Sequence, residues 1–102
     1  MPIVVSQIPR NEWTGGKVER VSESFGKWAK EAAGQTDAFF LDLNEMVAKK
    51  YEELGAVKVK AFFPGDHTHT NFLGAELNAR TVAEGILGLK SCDLKAYIRD
   101  LK

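Results

Sequence analysis

Asp66, His67 and His69 fall within the stretch GDHTHTN, and the two histidines are the chain's full complement of that residue. Three chemistries suit them. A carboxylate can orient an imidazole by accepting its Nδ1 proton, leaving Nε2 free to take a proton from a nucleophile. Asp66 and His69, three positions apart in a turn leading into a helix, can meet on one face, while His67 in an extended segment points the other way. Alternatively, two histidines two residues apart can grip one metal ion, with Asp66 as a third ligand. In the plainest reading the aspartate and the threonines only cap a helix. Spacing alone leaves all three open.

Arg10, Asn11 and Trp13 form a second candidate group. They follow an apolar, β-branched run, residues 2–9, and so lie beyond the carboxyl end of an expected strand, where open α/β sheets place their ligands. Trp13 could stack on a sugar ring and Arg10 could meet a uronate carboxylate; the plainer alternative is that they pack and hydrogen-bond their own loop. Ser6 lies inside the apolar run, and Ser22, Ser24 and Ser91 lie in helical or tail segments. None stands on the sharp strand-to-helix turn that exposes a nucleophile.

The elements that must position these residues alternate. After the strand in 2–9 and the loop RNEWTGG, a helix is expected from Lys17, with Val18, Val21, Phe25, Trp28, Ala29 and Ala32 on one face and Gly34 as its stop. Phe25 and Trp28 are expected in the core. AFFLDL, residues 38–43, reads as a second buried strand. Leu43, Met46, Val47, Tyr51 and Leu54 give the next helix, capped by Asp42 or Asn44 and ended by Gly55, with Lys49, Lys50, Glu52 and Glu53 as its solvated face. Residues 56–63 suit a strand or a helical turn equally and read as a connector. Thr70 or Asn71 can cap a third helix with a small-residue stripe of Ala75, Ala79, Val82, Ala83 and Ile86; Leu94, Tyr97, Ile98 and Leu101 predict a short terminal helix. Strands alternating with helices predict an α/β fold with parallel strands and flanking helices.

A chain of 102 residues suits one domain, and 44% hydrophobic with 27% charged residues argues against disorder and against a membrane class. Fourteen basic and fourteen acidic side chains cancel, which speaks against a nucleic-acid partner. Cys92 stands alone, so neither an internal disulfide nor a cysteine zinc site is expected. The first residues lack the charged and long apolar regions of a signal peptide.

GDHTHTNFLGAELNA resembles the last motif block of the SGNH (GDSL-type) hydrolases, in which a D-x-x-H pair precedes the C-terminal helix, and within them the rhamnogalacturonan acetylesterase branch. PIVVSQIPRNEW and FFLDLNEMVAKKYEELG look like that family's late strands and the segments after them. The resemblance runs in family order over nearly the whole chain. It implies a flavodoxin-like, three-layer α/β/α fold, with Asp66 and His69 as the acid and base of a serine triad and no metal or cofactor. It also implies an acetylated polysaccharide such as rhamnogalacturonan as substrate, which Arg10, Asn11 and Trp13 by their place after the strand, and His67 by its place beside the pair, could border, and it allows a secreted or periplasmic parent.

The family's G-D-S nucleophile block and its oxyanion-hole blocks are not in this sequence. Residues 1–102 therefore read as a single partial domain, the C-terminal portion of an SGNH hydrolase, inactive alone. The other reading is a non-catalytic fragment or assembly module. An apolar strand lacking its neighbours predicts either a homodimer by strand pairing or swapping, or pairing with a missing N-terminal half.

Overall fold

The computed structural model describes residues 2–90 and 92–98. Its centre is a parallel pair, β1 (Ile3–Val5) and β4 (Phe39–Leu41), in the register Ile3↔Phe39, Val4↔Phe40 and Val5↔Leu41. Both expected strands are therefore present and parallel, trimmed to three residues each, because parallel strands joined by a helical crossover need only a short buried run.

The crossover is α1 (Phe25–Gln35), which packs on both strands. After β4 come α2 (Leu43–Leu54), α3 (Ala56–Lys60) and α4 (Phe72–Gly88), then a short 3-10 turn (Asp93–Tyr97). Phe40 borders the α1 side with Gly26 and Lys30, while its neighbour Leu41 meets Gly85 of α4. Successive strand residues point to opposite faces, so α1 and α4 cover opposite faces of the pair. The layers run α/β/α, in keeping with the expected α/β fold of parallel strands with flanking helices.

The helix expected from Lys17 begins eight residues later, at Phe25. Residues Trp13–Thr14 (β2) and Lys17–Val18 (β3) instead form an antiparallel hairpin. Gly15 and Gly16 between them have φ of 57° and 80°, the doubly positive pattern of the tightest hairpin loops, which glycine adopts without a side-chain penalty. Val18 goes to the core from the hairpin rather than from a helix.

Phe25 and Trp28 are exposed, 59% and 57%, and stack edge-to-face on each other with centroids 5.3 Å apart. The face of α1 that is buried carries Gly26 and Ala33. On α4 the buried positions are Gly74, Thr81 and Gly85 rather than the expected alanines; a Cβ at Gly85 would collide with the Leu41 side chain. In both helices the smallest face lies inward, since backbone approach to a neighbour is limited by what projects between them.

The main core lies between α2, α3 and the hairpin: Val47, Ala48, Tyr51 and Val59 are fully buried, with Val18, Leu43 and Phe63 beside them. Phe63 meets Tyr51 edge-on at 6.1 Å, and burial pushes the Tyr51 phenol up to about 12. Asp42 caps α2, accepting from the Glu45 amide, and Gly55 ends it at φ 91°. Residues 56–63, the connector, are helical up to Lys60. The terminal helix narrows to its 3-10 turn; Ser91 and Leu101 lie outside the described residues.

Glu52 and Lys50 are not part of a merely solvated face. Arg20 donates to Glu52 and Glu45 and to the Val18 carbonyl, and Glu52 in turn accepts from the Val18 amide at 2.9 Å. This clamp fastens the hairpin to α2. Lys50 donates to Thr81 at 2.9 Å and to Glu84 at 2.7 Å, joining α2 to α4. No helix of the described residues is long and apolar enough to cross a membrane.

Candidate active site

The loop from Phe63 to Thr70 carries the motif, and Asn71 closes it. The Asn71 backbone donates to the Phe62 carbonyl at 2.8 Å and its Nδ2 to the Ala61 carbonyl at 2.9 Å, while its Oδ1 accepts from the Gly74 amide at 3.0 Å. One residue thus pins the end of α3 to the start of α4 and caps α4. Of the two expected caps, Asn71 is the one used, because its amide supplies a donor and an acceptor together.

Inside that loop Asp66 is fully engaged. Its Oδ1 accepts from the Thr68 and His69 amides, both at 2.7 Å, and its Oδ2 lies 2.8 Å from His69 Nδ1. The hydrogen bond from the His69 ring, then those from the two amides, hold the Asp66 carboxyl well below the usual carboxylate range. An ionised Asp66 favours the proton on Nδ1, which leaves Nε2 as an acceptor. The His69 side chain is 83% exposed, so that nitrogen can be reached.

His67 is exposed beside the pair, and its carbonyl accepts from the Asn11 amide at 2.9 Å. The loop after β1 therefore touches the motif loop, at the carboxyl end of the parallel strands. Asn11 Oδ1 accepts from the Trp13 indole at 2.7 Å, and the half-buried Trp13 ring packs against the core. Arg10 is exposed and borders a hollow of about 250 Å³ with Pro9, Val21 and Phe25, whose lining does not include Asp66 or His69. Of the four residues expected to border a substrate, Asn11, Trp13 and His67 are joined to the motif loop by hydrogen bonds or chain, and Arg10 lines that hollow.

Among the described residues no group of three or more His, Cys, Asp or Glu side chains is placed to hold a metal ion. Ser6 is 2% exposed; its hydroxyl donates to Asp42 Oδ1 at 2.7 Å and accepts from the Asn44 amide at 2.9 Å, tying β1 to the start of α2. Ser91 lies outside the described residues. The Arg20 clamp and the double duty of Asn71 were not anticipated. Nothing in their local spacing signals them, since Arg20 and Glu52 are 32 positions apart.

No family model matches the chain. Over 85 residues it is 32% identical to the rhamnogalacturonan acetylesterase of Emericella nidulans, an alignment taking in 83% of this chain and 35% of that protein. The chain thus spans about a third of the length of this curated relative. The similarity agrees with the resemblance carried by GDHTHTN.

Proposed function

We propose, from the premise that this chain is an SGNH hydrolase-like relative of a rhamnogalacturonan acetylesterase, that Asp66 and His69 are the acid and base of an ester-cleaving site. Its substrate would be an acetylated polysaccharide such as rhamnogalacturonan. The observation that carries this reading is the 2.8 Å contact between Asp66 Oδ2 and His69 Nδ1, with Nε2 left unspent among the described residues.

In that reading His69 Nε2 takes the proton of a serine hydroxyl as its oxygen attacks the acetyl carbonyl. The imidazolium then protonates the departing sugar oxygen, and a second cycle with water releases acetate. Asp66 keeps the ring in the required tautomer and steadies the imidazolium. The serine and the oxyanion donors come from a part of the active domain that this sequence does not contain, so the chain by itself should not turn over esters.

Acetate release from acetylated rhamnogalacturonan tests the reading. The chain alone should be inactive, and co-expression with an SGNH segment bearing the G-D-S block should restore turnover. Asp66→Asn should then lower kcat by roughly 10³–10⁴-fold. Turnover that survives His69→Ala in the restored enzyme would sink the assignment, and turnover by the chain alone would sink the need for a second part.

The same reading gives β1 a partner. Its outer edge pairs with no strand among the described residues, and Val5 is 40% exposed. An open edge is a template for another strand, from the complementary segment or from a second copy. Light scattering at micromolar concentration should show more than the monomer mass, and a strictly monomeric chain that also ignores the G-D-S segment would refute this.

A further inference from the structure

Trp13 and Asn11 look outward in sequence terms, as a sugar platform and a polar neighbour, yet both are spent on the protein itself. The Trp13 indole donates to Asn11 Oδ1 at 2.7 Å, and the Asn11 backbone N–H donates to the His67 carbonyl at 2.9 Å. That carbonyl belongs to the peptide unit joining His67 to Thr68. The amide at the other side of the same unit, Thr68 N–H, donates to Asp66 Oδ1 at 2.7 Å. A peptide unit is planar and rigid, so a bond that fixes its carbonyl direction also fixes where its N–H points.

The strut continues inward. Trp13 pairs with Val18 across the hairpin, Val18 donates to Glu52, and Arg20 locks Val18, Glu52 and Glu45 together. Hydrogen bonds therefore anchor the hairpin to α2, the cross-strand pair of Trp13 and Val18 relays that anchorage by packing, and hydrogen bonds resume from the Trp13 indole to the carboxylate that orients His69. The exposed motif loop lacks buried side chains of its own between Pro64 and His69, so its geometry rests on these bonds.

We propose that Asn11 and Trp13 are positioning residues for the Asp66–His69 pair, acting through the His67–Thr68 peptide rather than on a substrate. The proposal rests on the acid–base reading for its significance but not for its test. Losing the indole N–H frees the Asn11 side chain, lets the Arg10–Trp13 loop pivot, and weakens the grip on the peptide that holds Asp66.

The experiment reads the His69 tautomer in the full chain from its ring ¹⁵N shifts, at a pH where the imidazole is neutral. Wild type should carry its proton on Nδ1. Trp13→Phe deletes the donor and keeps a smaller aromatic ring against the core; Asn11→Ala deletes the acceptor. Each should lower the ratio of the Nδ1–H to the Nε2–H form about fivefold, the worth of one net hydrogen bond, while the thermal midpoint moves little. Asn11→Asp, which retains an acceptor and the backbone N–H, should restore the wild-type ratio. Unchanged ratios in Trp13→Phe and Asn11→Ala would overturn the proposal, as would an Asn11→Asp ratio equal to that of Asn11→Ala. If Trp13→Phe fails to fold, the two Asn11 variants decide. Ester turnover does not enter this readout: failure of the strut leaves the acyl-transfer reading standing, and failure of restored turnover leaves the strut standing.

Discussion

Two carboxylate clusters in this molecule use nearly the same parts to opposite ends. Around Arg20, the guanidinium serves Glu45, Glu52 and the Val18 carbonyl, its side chain is only 22% exposed, and the cluster borders the packed core. Around Asp66, the carboxylate is just as thoroughly hydrogen-bonded, but the ring it holds is 83% exposed and keeps one nitrogen without a partner among the described residues. Both clusters depress a carboxyl: Glu52 is held at about 2, chiefly by its hydrogen bond from Arg20, and Asp66 lower still, chiefly by His69. A lowered carboxylate therefore does not mark function, because ion pairs that only hold a fold together lower it too. What separates them is an unspent group facing outward.

The sharpest way to break this comparison is to strike each side and read both stability and site. Tyr51→Ala, in the core that the Arg20 cluster seals, should cost about 3–5 kcal/mol and leave little folded protein, as measured by denaturant unfolding. Asp66→Asn should leave the unfolding midpoint almost where it was while altering the His69 tautomer. If Asp66→Asn unfolded the chain, the motif would be structural.

Next in size is the clamp itself. Arg20→Leu leaves Glu45 and Glu52 without their cation and frees the hairpin, and should lower the thermal midpoint by roughly 4–8 °C. A midpoint unchanged within a degree would mean that the hairpin is held by Val18 and Trp13 packing alone.

Acid separates the two regions more finely. Glu52, Glu45 and Asp66 all have pKa values lowered on folding, so their contribution is fully present above the unfolded values, 4.5 for the two glutamates and 3.8 for Asp66, and is lost as pH falls through the folded values. Stability should accordingly decline between about pH 5 and pH 2. Arg20→Leu should flatten that decline more than Asp66→Asn does, and equal flattening would erase the distinction between the clusters.

The smallest effect belongs to the outer face of α1. Trp28→Ser removes an exposed ring whose aromatic partner is Phe25 and should cost no more than about 1 kcal/mol. A loss of several kcal/mol would restore Trp28 to the core that its helical spacing predicted.

Local chemistry made much of the molecule legible. The apolar runs in residues 2–9 and 38–43 announced two strands, Asp42 or Asn44 and Gly55 bounded α2, Thr70 or Asn71 announced the start of α4, and Asp66 and His69 stand three apart in a turn that can bring them together. These features depend on contacts within a few positions, which composition and spacing record. The hairpin was missed although Gly15 and Gly16 mark it, because Val18 and Val21 also satisfied a helical period.

What the tertiary structure alone decided are the long-range choices: which face of α1 and α4 turns inward, which carboxylates Arg20 finds, and that Asn11 reaches the His67 carbonyl. Periodicity names the apolar residues of a helix but not the neighbour it must approach, and close approach selected glycine and alanine over Phe25 and Trp28. Hydrogen bonds between residues dozens of positions apart leave no local trace, since each partner looks like an ordinary surface residue until the fold sets it opposite the other. The sequence by itself put Asp66 and His69 within reach of each other; only the folded chain showed that they bond and what holds them in place.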